Sequence, residues 1–144
     1  MIEVNLQALQ DRADTSKASA AKIRVLIAED HPVMRYTLCS VLKQYPEVEI
    51  VGEAINGEDA VLKAEELRPA IVLMDINMPK LDGITATRRI KAMSNRISVL
   101  GLSVDGERYS IDAMLRAGAV AVVPKERAVD DLYGAIQRAS ASSL

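Results

Sequence analysis

The chain has 144 residues, 49% apolar and 26% charged, with 18 basic side chains against 20 acidic ones and a net charge of −2. That length fits one domain around one core, and the charge gives no ground for general affinity toward nucleic acid or anionic membrane. A single cysteine excludes an intrachain disulfide framework, and no apolar run approaches the roughly 20 residues needed to span a bilayer.

Residues 1–22 read as an N-terminal extension or linker. Ile2, Leu6, Leu9 and Ala13 have the spacing of a short amphipathic helix, and Thr15 to Ala20 has linker composition. No basic segment precedes an apolar core there, so no signal peptide is expected. A first buried strand, Ile23-Arg24-Val25-Leu26-Ile27-Ala28, runs into Glu29-Asp30-His31-Pro32. Pro32 suits the first turn of a helix. Met34, Leu38, Val41, Leu42 and Tyr45 mark one face of that helix, and Pro46 ends it. Cys39 lies within it as a structural thiol, in keeping with a reducing cytoplasm. His31, the only histidine, has no Cys or His partners for a metal and reads as structural or surface.

Val48-Glu49-Ile50-Val51 half alternates, as an edge strand does. Asn56-Gly57 marks a turn, and Ala60, Val61, Ala64 and Leu67 form a second helical face ending before Pro69. Ile71-Val72-Leu73-Met74 then runs straight into Asp75 before Pro79 and Gly83 break the chain. A short continuous apolar run with such boundaries suits a strand buried on both faces. Ile84, Thr87 and Ile90 define a third helix, whose Arg88, Arg89 and Lys91 read as a solvated face. Ile97 to Leu102 is a fourth strand ending in Ser103. Asp105-Gly106 leads to a helix with Ile111, Met114 and Leu115, stopped near Gly118. A fifth strand, Val120 to Pro124, ends at Lys125. Proline cannot donate to a ladder, which places this strand at an edge or puts Pro124 at its end. Ala128, Leu132, Ala135, Ile136 and Ala139 mark the last helix. Five strands alternating with five helices predict an α/β fold with a parallel, doubly wound sheet.

The strand ends bring Glu29-Asp30, Asp75, Ser103 and Lys125 to one end of that sheet, where open α/β sheets bind ligands. Three crowded carboxylates raise one another's pKa values. A hard divalent cation relieves the repulsion. Mg²⁺ takes oxygen ligands and keeps several waters, so two carboxylates and a backbone carbonyl suffice to hold it. Lys125 adds a compact positive charge and Ser103 a hydroxyl. These are the parts needed to accept a phosphoryl group, since an aspartate can attack phosphorus and form an acyl phosphate, while cation and ammonium offset charge on the phosphoryl oxygens.

Four stretches stand in a telling order: Ile27-Ala28-Glu29-Asp30-His31-Pro32, Val51 to Glu58, Leu73-Met74-Asp75-Ile76-Asn77-Met78-Pro79 with Asp82-Gly83, and Ala117-Gly118-Ala119 through Lys125. At these residues the sequence resembles the receiver domain of two-component response regulators, over about residues 22–140. His31-Pro32 and Gly52-Glu53-Ala54 are similar to the branch that usually carries a LuxR-type helix-turn-helix. The resemblance implies a flavodoxin-like (βα)5 fold with strand order 2-1-3-4-5. It implies a receiver domain at residues 23–140, between the extension 1–22 and a C-terminal tail, 141–144. No effector domain fits after residue 140.

The resemblance also implies roles. Asp75 takes phosphate from a sensor histidine kinase or phosphotransfer protein. Mg²⁺ sits on Glu29, Asp30, Asp75 and the main-chain carbonyl of Asn77. Ser103 binds a phosphoryl oxygen, and Lys125 pairs with the phosphate and Asp75. Asn77 and Asp105 flank the path of the hydrolytic water. The implied function is cytoplasmic signalling, in which phosphorylation switches partner binding or self-association, a homodimer included. No enzyme activity is implied beyond the chain's own phosphorylation and dephosphorylation. No membrane is involved, and no nucleic acid is contacted unless an effector domain is missing. Two residues depart from the family pattern. Val122 stands where Tyr or Phe is usual, and Pro124 precedes the lysine. Both bear on the output switch, and neither removes a phosphorylation residue.

Other functions fit less well. An aspartate-nucleophile phosphohydrolase needs a second Asp where this chain has Asn77, because general acid catalysis requires a titratable group. A nucleotide-binding Rossmann domain needs a glycine-rich loop after the first strand, where Glu29-Asp30-His31-Pro32 stands. The alternative with some support, from Val122, is a receiver-like protein-binding module not regulated by phosphorylation.

Overall fold

The computed structural model describes residues 22–104 and 108–142. The N-terminal extension with its expected helix, Asp105-Gly106 and the last two residues lie outside them. The element order is β1 (Ile23–Ala28), α1 (Pro32–Leu42), β2 (Val48–Ala54), α2 (Gly57–Leu67), β3 (Ile71–Asp75) and α3 (Gly83–Met93). There follow β4 (Ser98–Ser103), α4 (Arg108–Ala117), β5 (Ala121–Pro124), a 3-10 turn at Lys125–Arg127, and α5 (Ala128–Ser142). The strands form one sheet in the order β2-β1-β3-β4-β5, and every neighbouring pair is parallel. This is the flavodoxin-like order, with β5 at an edge and Pro124 at its end, so both of the placements that the proline allows are met.

Each inner strand feeds two cores. Val25, Ile27, Ile71 and Leu73 point to one side and pack with Leu38 and Leu42 of α1 and Leu132 and Ile136 of α5. Their neighbours Leu26, Ala28, Val72 and Met74 point to the other side. There they meet Ala60 and Ala64 of α2, Ala86 and Ile90 of α3, and Met114 of α4. Burial on both faces is why β1 and β3 read as unbroken apolar runs rather than alternating ones. Each fully buried Leu or Ile contributes roughly 1.5–3 kcal/mol, so a core without Phe or Trp is built from many such increments.

Local chemistry moves several boundaries from where the sequence pattern puts them. Helix α1 stops at Leu42, three residues before Tyr45, whose ring stacks on Tyr133 of α5 with centroids 3.7 Å apart. The turn at Asn56-Gly57 leads straight into α2, with Asn56 as its N-cap: its side chain accepts the Asp59 N–H at 2.8 Å. Strand β2 runs on through Gly52 and Glu53 to Ala54 after a bulge, because Val25 pairs with Ile50 while Leu26 pairs with Gly52. Leu115 of α4 is exposed, and Ala113, Met114 and Ala117 form the buried face instead. Gly118, at φ +118, is the stop after α4.

Gly83 fixes how closely α3 approaches the end of β3. A Cβ built on it would lie 2.1 Å from the Asp75 carbonyl oxygen, a backbone atom that cannot step aside. Gly83→Ala is expected to lower stability by about 3 kcal/mol through overpacking. Gly134 sits inside α5 and faces only the movable end of Arg138 at 3.3 Å. There the alanine change should stabilise by about 0.5–1 kcal/mol. Urea denaturation of the two variants checks the opposite signs.

Candidate functional site

The carboxyl ends of β1, β3 and β5 converge. Glu29 follows β1 and is fully buried, Asp75 ends β3 with 2% of its surface exposed, and Asp30 is half-buried. One carboxylate oxygen from each of the three lies within 4.8 Å of the others. Lys125 begins the 3-10 turn after β5 and reaches between two of them. Its Nζ is 2.7 Å from Glu29 Oε1 and 3.1 Å from Asp75 Oδ1.

Backbone contacts aim these groups. The Glu29 N–H donates to the Ala54 carbonyl at 3.0 Å, extending the β1–β2 ladder one step past the strand. The His31 N–H donates to Glu29 Oε2 at 3.0 Å, so the loop entering α1 holds that carboxylate. The Asn77 N–H approaches Asp75 Oδ1 at 3.4 Å. His31 itself is exposed and offers no side-chain cap to α1, as its surface assignment expects. Arg35, on α1, donates from Nη1 to the Glu29 carbonyl at 2.8 Å and pairs through Nε with Glu53 at 3.2 Å. Sequence reasoning missed Arg35, because nothing in its local pattern separates it from a surface arginine.

The electrostatics follow from this packing. Burial, and then the nearby Glu29 carboxylate, push the Asp75 pKa up to about 7 against the opposing pull of Lys125. Burial presses the Lys125 pKa down, but the Glu29 and Asp75 carboxylates outweigh it and the net direction is upward. Glu29 Oε1 faces the Lys125 ammonium as an ion pair, yet it receives no well-directed hydrogen bond. Ser103 closes β4 beside Pro124, and its buried Oγ has no hydrogen-bond partner. Both are polar atoms that a native interior rarely leaves unsatisfied. The thiol of Cys39, on α1, is buried, which pushes its pKa up and fits an inert structural cysteine.

A parallel, doubly wound sheet with an acidic cluster and a lysine at its carboxyl ends defines the class: a flavodoxin-like α/β protein with its polar site where such sheets hold their ligands. The chain belongs to the response regulator receiver domain family, whose sequence profile it matches over residues 25–137. It is 40% identical to the protein-glutamate methylesterase/protein-glutamine glutaminase of Alkalilimnicola ehrlichii over 119 residues, which are 81% of this chain and 30% of that protein. Among solved structures it is similar to the response regulator domain of Thermotoga maritima CheB. The identity there is 31% and the TM-score 0.78, covering 83% of this chain and 97% of that one. It is also similar to a LuxR-family two-component response regulator from an Aurantimonas species, at 27% identity and TM-score 0.80, covering 84% of this chain and 86% of that one. No helix among the described residues is long and apolar enough to cross a membrane.

Proposed function

We propose that this chain is the phosphoacceptor receiver of a two-component response regulator, phosphorylated on Asp75 by a sensor histidine kinase or phosphotransfer protein. The supporting observation is the contact of one ammonium, Lys125, with both Glu29 and Asp75, beside an unpartnered Ser103 hydroxyl. On this reading residues 23–140 are the receiver domain, and the setting is the cytoplasm. Phosphorylation changes binding to a partner or to a second copy. The chain performs no reaction on another substrate.

The donor set fits Mg²⁺. Glu29, Asp30 and Asp75 offer hard oxygens within one ion's reach, and Glu29 Oε1 meets the Lys125 ammonium without a well-directed hydrogen bond. With the Asn77 main-chain carbonyl they would hold the ion, which supplies positive charge to the carboxylates and to an incoming phosphoryl group. The rest is done by the chain. An Asp75 carboxylate oxygen forms the new bond to phosphorus, and the electron pair of the broken donor bond leaves with the donor. Lys125 offsets charge on the phosphoryl oxygens, and the Ser103 O–H donates to one of them. Gly83 lets α3 close behind Asp75 without displacing its backbone.

The test is phosphotransfer from a small acyl phosphate with Mg²⁺ or with a chelator. Incorporation of one phosphoryl group only with Mg²⁺ supports the reading. No incorporation in either condition favours the docking module that phosphorylation does not regulate. One observation favours that second reading. Val122 is packed in the α2–α4 core, and its Cγ2 would lie 3.2 Å from a Cβ on Gly101, so no mobile ring occupies the position.

A metal that binds only the folded chain raises its stability by mass action. Mg²⁺ at 100 times its dissociation constant should add about 2.7 kcal/mol. Asp30→Asn, which removes the most accessible carboxylate, should lose most of that gain. An equal rise in melting temperature for both proteins would place the ion elsewhere.

A further inference from the structure

We propose that Arg35 and Glu53 form a brace that positions the Glu29-Asp30 peptide for cation binding. The proposal rests on the metal reading above. Arg35 uses both sides of its guanidinium: Nη1 holds the Glu29 carbonyl at 2.8 Å, and Nε pairs with Glu53 Oε1 at 3.2 Å. The Glu29 carbonyl belongs to the peptide unit joining Glu29 to Asp30. Its position therefore sets where both carboxylates start. The N–H of Glu29 is fixed separately by the Ala54 carbonyl. The residue is thus held on one side by β2 backbone and on the other by an α1 side chain that is itself anchored to β2.

The bulge in β2 makes this possible. Sheet partners point to the same face, and Glu53 pairs with Ile27, which faces α1. Were Val51 paired in register with Leu26, Glu53 would fall opposite Ala28, whose side chain faces α2 and α3. One residue of slip reverses the face of every later side chain, and the bulge turns Glu53 toward Arg35. The Arg35 side chain is 20% exposed and that of Glu53 51% exposed. As an ion pair alone the contact would contribute little to stability. Its effect is orientation, because a planar fork with one nitrogen fixed leaves the other aimed. The guanidinium also brings positive charge to the Glu29 carbonyl. Lysine can reproduce that charge but not the two-sided grip.

The test is Mg²⁺ titration of the full chain followed by amide NMR, together with hydrogen exchange of the metal-free protein. Arg35→Ala should weaken Mg²⁺ about 10-fold, as loss of a residue supporting metal ligands commonly does. Arg35→Lys should fall between it and wild type. Glu53→Gln should weaken Mg²⁺ less, and the double variant should be no worse than Arg35→Ala alone. In the metal-free protein Arg35→Ala should also lose protection at the His31 amide, which hydrogen-bonds Glu29 Oε2, with β3 amides unchanged. A merely structural arginine would lower the melting temperature and leave Mg²⁺ affinity and His31 protection at wild-type values, and that result overturns the proposal. If Arg35→Ala does not fold, Glu53→Gln carries the same comparison, and unchanged values in it overturn the brace. If the wild-type chain takes up no Mg²⁺, the metal reading fails, and unchanged His31 protection then overturns the brace separately.

Discussion

Asp75→Asn should reduce Mg²⁺-dependent phosphoryl incorporation to background. Of the three clustered carboxylates, Glu29 is fully buried and takes both the His31 N–H and the Lys125 ammonium. Asp30 stands nearer solvent, away from the lysine contacts. Asp75 combines an ammonium 3.1 Å away with a place between Glu29 and the unpartnered hydroxyl strand. An amide nitrogen is not a nucleophile toward phosphorus, so the substitution keeps the shape and removes the chemistry. Intact-protein mass spectrometry reads the result directly. Undiminished labelling of the variant would show that another residue accepts the group.

The same substitution should stabilise the metal-free protein, by an amount that grows from about pH 4 and is complete above about pH 7. The folded pKa of Asp75 is about 7, against an ordinary value of 3.8. A raised carboxylate pKa means that ionising the group costs the folded state more than the unfolded one. The favourable contribution is complete below about pH 4 and is lost as pH rises through 7. For a group titrating alone a shift of that size is worth on the order of 4 kcal/mol, and coupling to Glu29 and Lys125 shares part of it. At pH 8 without metal, Asp75→Asn should therefore raise the melting temperature by on the order of 10 °C, and near pH 4 the gain should vanish. Proton and cation compete for the same carboxylate, so Mg²⁺ affinity should fall as pH drops below 7. An equal gain at both pH values would mean that the substitution acts through packing rather than charge.

The parts of the molecule legible in the sequence are those set by burial. Ile71 to Asp75 reads as a strand because a run apolar at every position must be covered on both faces, and the strand has those bounds. The missing N–H of Pro124 allows β5 only at an edge or with the proline at its end, and β5 has both. The meeting of Glu29, Asp30, Asp75 and Lys125 follows once all strands run parallel, since their ends then share one rim. What the sequence hides depends on partners far along the chain. Tyr45 has the spacing to continue α1, but its ring stacks on Tyr133 across to α5. Asn56-Gly57 reads as a turn, and only the Asp59 contact shows that Asn56 also caps the helix after it. The bulge at Val51 is flagged only by Gly52 beside it, and a glycine within a strand leaves the register slip itself unread. With it hidden, Glu53 cannot be assigned a face, and its pairing with Arg35 stays invisible.

The short β5 strand has a consequence for assembly. Every open sheet ends in unpaired backbone that can recruit a foreign strand, and long flat edges template chain-to-chain polymers. At β5 that border is four residues long, and the last of them is proline, which brings no hydrogen to the seam. An incoming strand would find too few rungs to hold. Chain-to-chain pairing through this border is therefore disfavoured, and a foreign strand would have to add at the opposite one, the seven-residue β2.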